Sequence, residues 1–177
     1  MEVLDQHTAI KLASPFPYTL ATTVNADGKP NAIGLGWWTF VSGSPPMVAI
    51  SVAPARYSHK NLETNPEFVL CFPSAELARP AWKAGRASGR KFDKFGEGGL
   101  VAVPATKVKP PLIEGSTVAF ECAVVNTVEA GDHTVFIANV VETHGSPDKV
   151  VHLYSVHYTK LVGIGSDGTA IFDLKFE

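Results

Sequence analysis

Arg56, Tyr57 and Ser58 follow one another directly after a strand-like run and a proline, an order that could hold an anion. Residues 51–72, SVAPARYSHKNLETNPEFVLCF, read as a strand, a turn at Pro54, a short helix stopped by Asn65-Pro66, and a second buried strand over 68–72. Ser58 is expected at the N-cap, where its hydroxyl would accept a free first-turn N–H. A helix N-terminus with exposed N–H groups, a hydroxyl and a guanidinium beside it suits an anion. An ordinary strand–turn–helix with a solvated arginine carries the same signature, so the rest of the chain has to decide.

The elements that must position this stretch are mostly strands. Residues 18–25 and 31–40 read as a hairpin around Ala26-Asp27-Gly28-Lys29-Pro30. Residues 42–46, SGSPP, break the chain before an apolar strand over 47–52. Residues 74–85 look helical but carry Pro80, expected to split or kink them. Residues 88–99, SGRKFDKFGEGG, read as a polar loop with one helical turn, pinned to the barrel by Phe92 and Phe95. In that loop Asp93 is expected to pair with a neighbouring cation. Residues 107–111 are an extended connector. Residues 117–128 and 133–143 form a second hairpin, and 149–164 and 170–176 complete the strands. Short strands with brief helices point to an all-β barrel or sandwich, and closing the barrel removes exposed edges.

Composition limits the function classes. A length of 177 residues suits one domain, residues 1–177. A hydrophobic content of 45% with 18% charged residues describes a folded chain. The net charge of −2, without a basic run, argues against nucleic acid. No apolar run approaches a membrane span, and the polar start does not read as a signal peptide, so the expected compartment is cytoplasmic. Cys71 and Cys122 sit in strand-like runs without CxxC spacing and read as core residues. Residues 163–168, GIGSDG, match GxGxxG, but only a strand-like tail follows, so they read as a turn. The histidines lack zinc spacing, and nothing supports a nucleophile triad. A chain with no acid, base or metal set of its own suits chemistry that belongs to a bound cofactor.

Several ordered segments carry a resemblance: NAIGLGWWTF, SGSPPMVAISV, ARYSHKNLETNPEFVLCFPS, SGRKFDKFGEGGL, PPLIEGSTVAFECAV, GDHTVFIANVVE and LYSVHYTKLVGIG. Together, over roughly residues 14–163, they resemble the flavin reductase-like family of FMN-binding split barrels, which includes flavoredoxins. The chain departs at Ala138-Asn139-Val140, where the family often has Gly-Glu-Val. It departs again at Ala84, where some members place a cysteine. The resemblance implies a split β-barrel of Greek-key type with a few short helices. It also implies a homodimer, with FMN near the interface and NADH or NADPH as donor.

Residue by residue, the resemblance places Asn31, Trp37, Trp38 and Thr39 at the flavin, with backbone groups from Ser51, Val52 and Ala53. Arg56, Tyr57 and Ser58 would surround the phosphate, and Lys94 would add a second positive charge. His133 would stand where the nicotinamide approaches, with Asp132 beside it to hold its ring. Trp37 and Trp38 point to opposite faces of a strand, so one of them stacks on a ligand, and Trp38 is favoured. These types match the chemistry. A phosphate dianion needs N–H donors and cations, and a flat ring needs aromatic faces and polar edges. The activity implied is NAD(P)H-dependent reduction of flavin or a downstream acceptor. The alternatives are a flavoredoxin-like carrier served by a redox protein partner and a non-enzymatic flavin-binding barrel.

Overall fold

The computed structural model describes residues 1–175, so Phe176 of the expected last strand lies outside the described residues. It begins with a helix absent from the sequence reading, α1 (Gln6–Leu12), capped by Asp5, whose Oδ1 accepts from Thr8 N at 3.0 Å. β1 (Phe16–Pro17) leads into the hairpin β2 (Thr19–Val24) and β3 (Pro30–Leu35). Asn25 holds that turn, because its Oδ1 accepts from Asp27 N and Lys29 N. β4 (Trp38–Gly43) and β5 (Pro46–Val52) form the next hairpin, followed by α2 (Tyr57–Thr64) and β6 (Glu67–Pro73). After a 3-10 turn at Ala75–Leu77 comes α3 (Ala78–Arg86). Pro80 does not break α3, because it falls in the first turn, where its missing N–H has no helical partner to lose. The remaining elements are β7 (Ala102–Val103), β8 (Leu112–Ile113), β9 (Ser116–Ala130), β10 (His133–Gly145), β11 (His152–Val156), β12 (Lys160–Ile164) and β13 (Ala170–Lys175). The GIGSDG run lies at the turn between β12 and β13.

Among the described residues the strands form a seven-stranded sheet in the order β3-β2-β6-β9-β10-β5-β4. A four-stranded sheet, β1-β11-β12-β13, and a β7-β8 ribbon accompany it. β3 and β4 stand at opposite edges of the large sheet, yet only Gly36 and Trp37 separate them in sequence. A flat sheet would set those edges about 29 Å apart, at about 4.8 Å per strand. Two linking residues span only about 10 Å. The sheet therefore curls until its edges nearly meet, giving a split β-barrel in a mostly β chain, with 47% of residues in strands and 15% in helices.

The barrel wall is buried on both faces. Along β6, Phe68 and Leu70 point into one core cluster, while Val69 and Cys71 point into the other. Each fully buried side chain of this size stabilises the fold by about 1.5–3 kcal/mol. Cys71 and Cys122 are free and buried. Burial pushes the Cys71 thiol up to about 12 and raises that of Cys122 as well.

α3 crosses β3 at a contact between two glycines. A Cβ on Gly34 would lie 2.9 Å from the Gly85 Cα and 2.4 Å from the Tyr18 hydroxyl. That hydroxyl donates to Ala81 O at 3.0 Å. The close approach carries the segment after α3 to the open end of β3.

Candidate functional site

A cavity of about 420 Å³ opens where β3, the β3–β4 break, the end of β5, the first turn of α2 and the segment after α3 converge. Asn31, Trp37, Ser51, Val52, Ala53, Arg56, Tyr57, Ser58, Lys94 and His133 all line it. Residues far apart in sequence are thus brought together. Trp38 and Thr39 are not among the lining residues. The expected strand over 31–40 is interrupted at Gly36-Trp37, and the interruption turns Trp37 towards the cavity. Trp38, the favoured ligand face, instead packs edge-on against Phe40 at 5.5 Å and Phe72 at 4.9 Å in the core. Thr39 is exposed on β4, and its hydroxyl donates to Phe40 O at 3.2 Å.

One end of the cavity is cationic. Lys94 is 4% exposed, and its Nζ donates to Ala32 O. Burial, then the neighbouring positive charge of Arg56, brings the Lys94 ammonium down to about 8. Among the described residues neither Arg56 nor Lys94 has a carboxylate within 4 Å. Asp93, in the same loop, accepts from Phe95 N and Gly96 N and faces Lys29 at 3.9 Å. Phe95 packs on the core, and Phe92 sits under the Lys83 ammonium at 4.6 Å.

Ser58 is not the cap of α2. Arg56 occupies that position in an extended conformation, without a side-chain cap bond. Ser58 is buried in the first turn, where its Oγ accepts from Asn31 Nδ2 at 2.8 Å. The other amide atom, Asn31 Oδ1, is buried without a partner. A Cβ on Gly89 would stand 2.0 Å from that oxygen, so only glycine lets the loop pass so close. Tyr57 is held under the Arg90 guanidinium, 5.6 Å from its ring centre.

The other end is aromatic. The rings of Trp37 and His133 lie 4.8 Å apart, tilted by 40°. His133, at the tip of the β9–β10 hairpin, shares a 2.7 Å hydrogen bond between its Nδ1 and Asp132 Oδ1. That bond holds the Asp132 carboxyl below its usual range. Trp37 Nε1 donates to the Tyr158 hydroxyl at 3.2 Å, and Tyr158 stacks on Phe16 at 5.7 Å. Some backbone groups are already engaged: Ser51 N donates to Trp37 O, and Ala53 O accepts from Arg56 N.

Tyr158, Arg86, Ser88 and Gly89 also line the cavity and were missed in the sequence. Tyr158 lies inside a quoted motif, but its role depends on two left-handed residues, His157 at φ 51° and Tyr158 at φ 59°. Neither is glycine, so no residue type signals the turn.

The arrangement fits a planar ligand with an anionic tail. It joins two cations, which have no carboxylate partner among the described residues, to an orphaned buried acceptor, small strand residues and an aromatic rim. Residues 12–161 match the model of the flavin reductase like domain. An uncharacterised protein of Archaeoglobus fulgidus is 37% identical over 135 residues, covering 75% of this chain and 76% of the relative. An NADH-dependent FAD reductase of Streptomyces globisporus is 28% identical over 160 residues, covering 87% and 86%. The solved flavoredoxin of Desulfovibrio vulgaris superposes with a TM-score of 0.73 at 25% identity, covering 93% of this chain and 91% of that one. The fold, the cavity and the match over residues 12–161 agree: this chain belongs to the flavin reductase like family.

Proposed function

We propose that the protein is an FMN-binding oxidoreductase that uses NADH or NADPH to reduce free flavin or a downstream acceptor, with residues 1–177 acting as one domain. The observation that carries this reading is the pair of cations, Arg56 and Lys94, that share a cavity lined by no carboxylate among the described residues. A dianionic phosphate satisfies both. When bound, a flavin supplies hydride acceptance at N5 and onward electron transfer, so no protein nucleophile is required.

The chain's own residues bind, orient and shield. Arg56 and Lys94 would neutralise the phosphate, with Tyr57 and Ser58 beside it. Asn31 Oδ1 would accept from a hydroxyl of the ribityl chain, which removes its unsatisfied state. Backbone groups of Ser51, Val52 and Ala53 that are not already engaged would meet the edge of the ring. Trp37 and His133 would exclude water and orient the nicotinamide, with Asp132 fixing the His133 ring. The NADH-dependent FAD reductase among the relatives supports the donor class.

Titration of Arg56→Ala with FMN and with riboflavin tests the phosphate end. A hydrogen bond to a charged group is worth about 1.5–3 kcal/mol, so FMN should bind about ten- to a hundredfold more weakly. Riboflavin should be unaffected. Equal losses for both ligands would reassign Arg56 to the fold or the ring. At the other end, His133→Ala should keep the FMN Kd within about threefold and slow anaerobic reduction about tenfold or more. An unchanged rate removes His133 from the site. The assembly proposed with this reading is a homodimer, and a monomer mass by light scattering at full flavin content would remove it.

A second reading, a flavoredoxin-like carrier, is favoured by the likeness to the Desulfovibrio protein and by Trp37, 42% exposed at the cavity mouth. Slow reduction by NADH beside fast exchange with a redox protein would select it. Bound FMN without turnover by any donor would leave a flavin-binding barrel.

A further inference from the structure

Four aromatic rings run in series from β1 to the cavity, each from a different element, and the last three of them line it. Phe16 of β1 stacks on Tyr158 of the β11–β12 turn at 5.7 Å and an interplanar angle of 26°. The Tyr158 hydroxyl accepts from the indole Nε1 of Trp37 at 3.2 Å. The Trp37 indole then lies 4.8 Å from the His133 ring at the tip of the β9–β10 hairpin. The series joins the four-stranded sheet to the barrel, and among the described residues its one side-chain hydrogen bond between the two is that of the Tyr158 hydroxyl.

Two features set this contact apart from ordinary surface packing. Trp37 is 42% exposed and sits outside any strand, in the two-residue break between β3 and β4. Its main-chain carbonyl is held by Ser51 N at 3.0 Å, but its indole has open solvent on one side. Its orientation therefore depends on few contacts. The second feature is the conformation of the turn. His157 and Tyr158 both occupy the left-handed region, at φ 51° and 59°, which non-glycine residues rarely adopt. His157 N donates to Ser14 Oγ at 3.2 Å, which ties this turn to the segment before β1. Strained conformations of this kind persist where the surrounding structure fixes them. Here the outcome of the strain is that the Tyr158 ring meets Trp37 at the cavity mouth.

We infer that Tyr158 is a positioning residue, whose hydroxyl fixes the Trp37 indole and, through the ring contact, the approach that Trp37 and His133 offer to a nicotinamide. This rests on the function proposed above. Tyr158 itself works through Trp37.

The test is a mutant cycle with Tyr158→Phe, Trp37→Phe and the double variant. Tyr158→Phe keeps the ring on Phe16 and removes only the hydroxyl. In the flavin-free protein, the indole N–H signal lost in Trp37→Phe identifies Trp37 by NMR. That signal should shift, and its proton exchange should speed up, in Tyr158→Phe. In FMN-loaded protein, anaerobic reduction at saturating NADH should slow about three- to tenfold, as misorientation of reactants allows. The FMN Kd should stay within about twofold. The double variant should be no slower than Trp37→Phe alone. An unmoved indole signal, a wild-type rate in Tyr158→Phe, or fully additive losses would each overturn the inference. If wild-type protein binds no FMN or is not reduced by NADH or NADPH, the proposed function fails instead, and the indole signal still reports on the contact.

Discussion

Lys94 shows how far a single residue departs from its ordinary behaviour. A loop lysine in a KFDKF run reads as solvated, yet its side chain is buried and borders the same cavity as Arg56. Its ammonium therefore titrates near pH 8 rather than near 10.5. A phosphate bound beside it would favour the charged form and raise its pKa again. Binding then takes up a proton once the pH exceeds about 8. FMN affinity should be full near pH 7, where the phosphate is a dianion and Lys94 is charged, and weaken severalfold by about pH 9, whereas riboflavin affinity should hold across that range. Lys94→Met should abolish the difference, and parallel pH curves for the two ligands would show that Lys94 does not meet the phosphate. At this scale the residue types of the site were legible, because cations, hydroxyls and aromatics announce their chemistry. Orientation was not. Trp37 and Trp38 are identical neighbours, and only the break before Trp38 decides which one lines the cavity. Ser58 looked like a cap because a Ser near a helix start usually is one. Here Asn31, 27 positions away, takes its hydroxyl instead.

Among the elements, the strands were legible from β-branched runs and turn residues, and the hairpin partners came out correctly. Long-range devices were not. Nothing in AFECAV marks Glu121 on β9 as a core residue, yet it is fully buried. It accepts from Thr106 N, Thr106 Oγ1, Lys107 N, Val108 N and His144 Nε2 at 2.6–3.1 Å. Burial alone would raise its pKa, but these donors outweigh burial and bring the carboxyl down to about 2. The carboxylate thus staples the connector before β8 to the barrel wall. Because the folded value lies below the unfolded 4.5, the stabilisation is present above about pH 4.5 and is lost as pH falls through about 2. It amounts to about 3 kcal/mol. Glu121→Gln should lower Tm at pH 7 by about 5–10 °C. The FMN Kd of the folded fraction should not change, since Glu121 does not line the cavity. A Tm within 1 °C of wild type would show that the connector is held by other contacts.

For the whole molecule, the barrel follows from one topological fact, that sequence neighbours β3 and β4 form the two edges of one sheet. Short strands with brief helices indicated a barrel or sandwich but could not say which strands would be edges, because pairing order is set by contacts distant in sequence. The resemblance implied a split β-barrel, and the order of its strands comes from the structure. What the closed sheet achieves is convergence: the ends of β3 and β5, the start of α2 and the tip of β9–β10 all meet at one cavity. On the proposed function, this cavity holds FMN for reduction by a nicotinamide. That function is tested most directly by the visible spectrum of the protein after loading with FMN and dialysis, before and after anaerobic addition of NADH or NADPH. A flavin band that survives dialysis and bleaches with at least one of the two donors is the expected result. A protein that stays colourless and shows no FMN binding at micromolar concentration would contradict it.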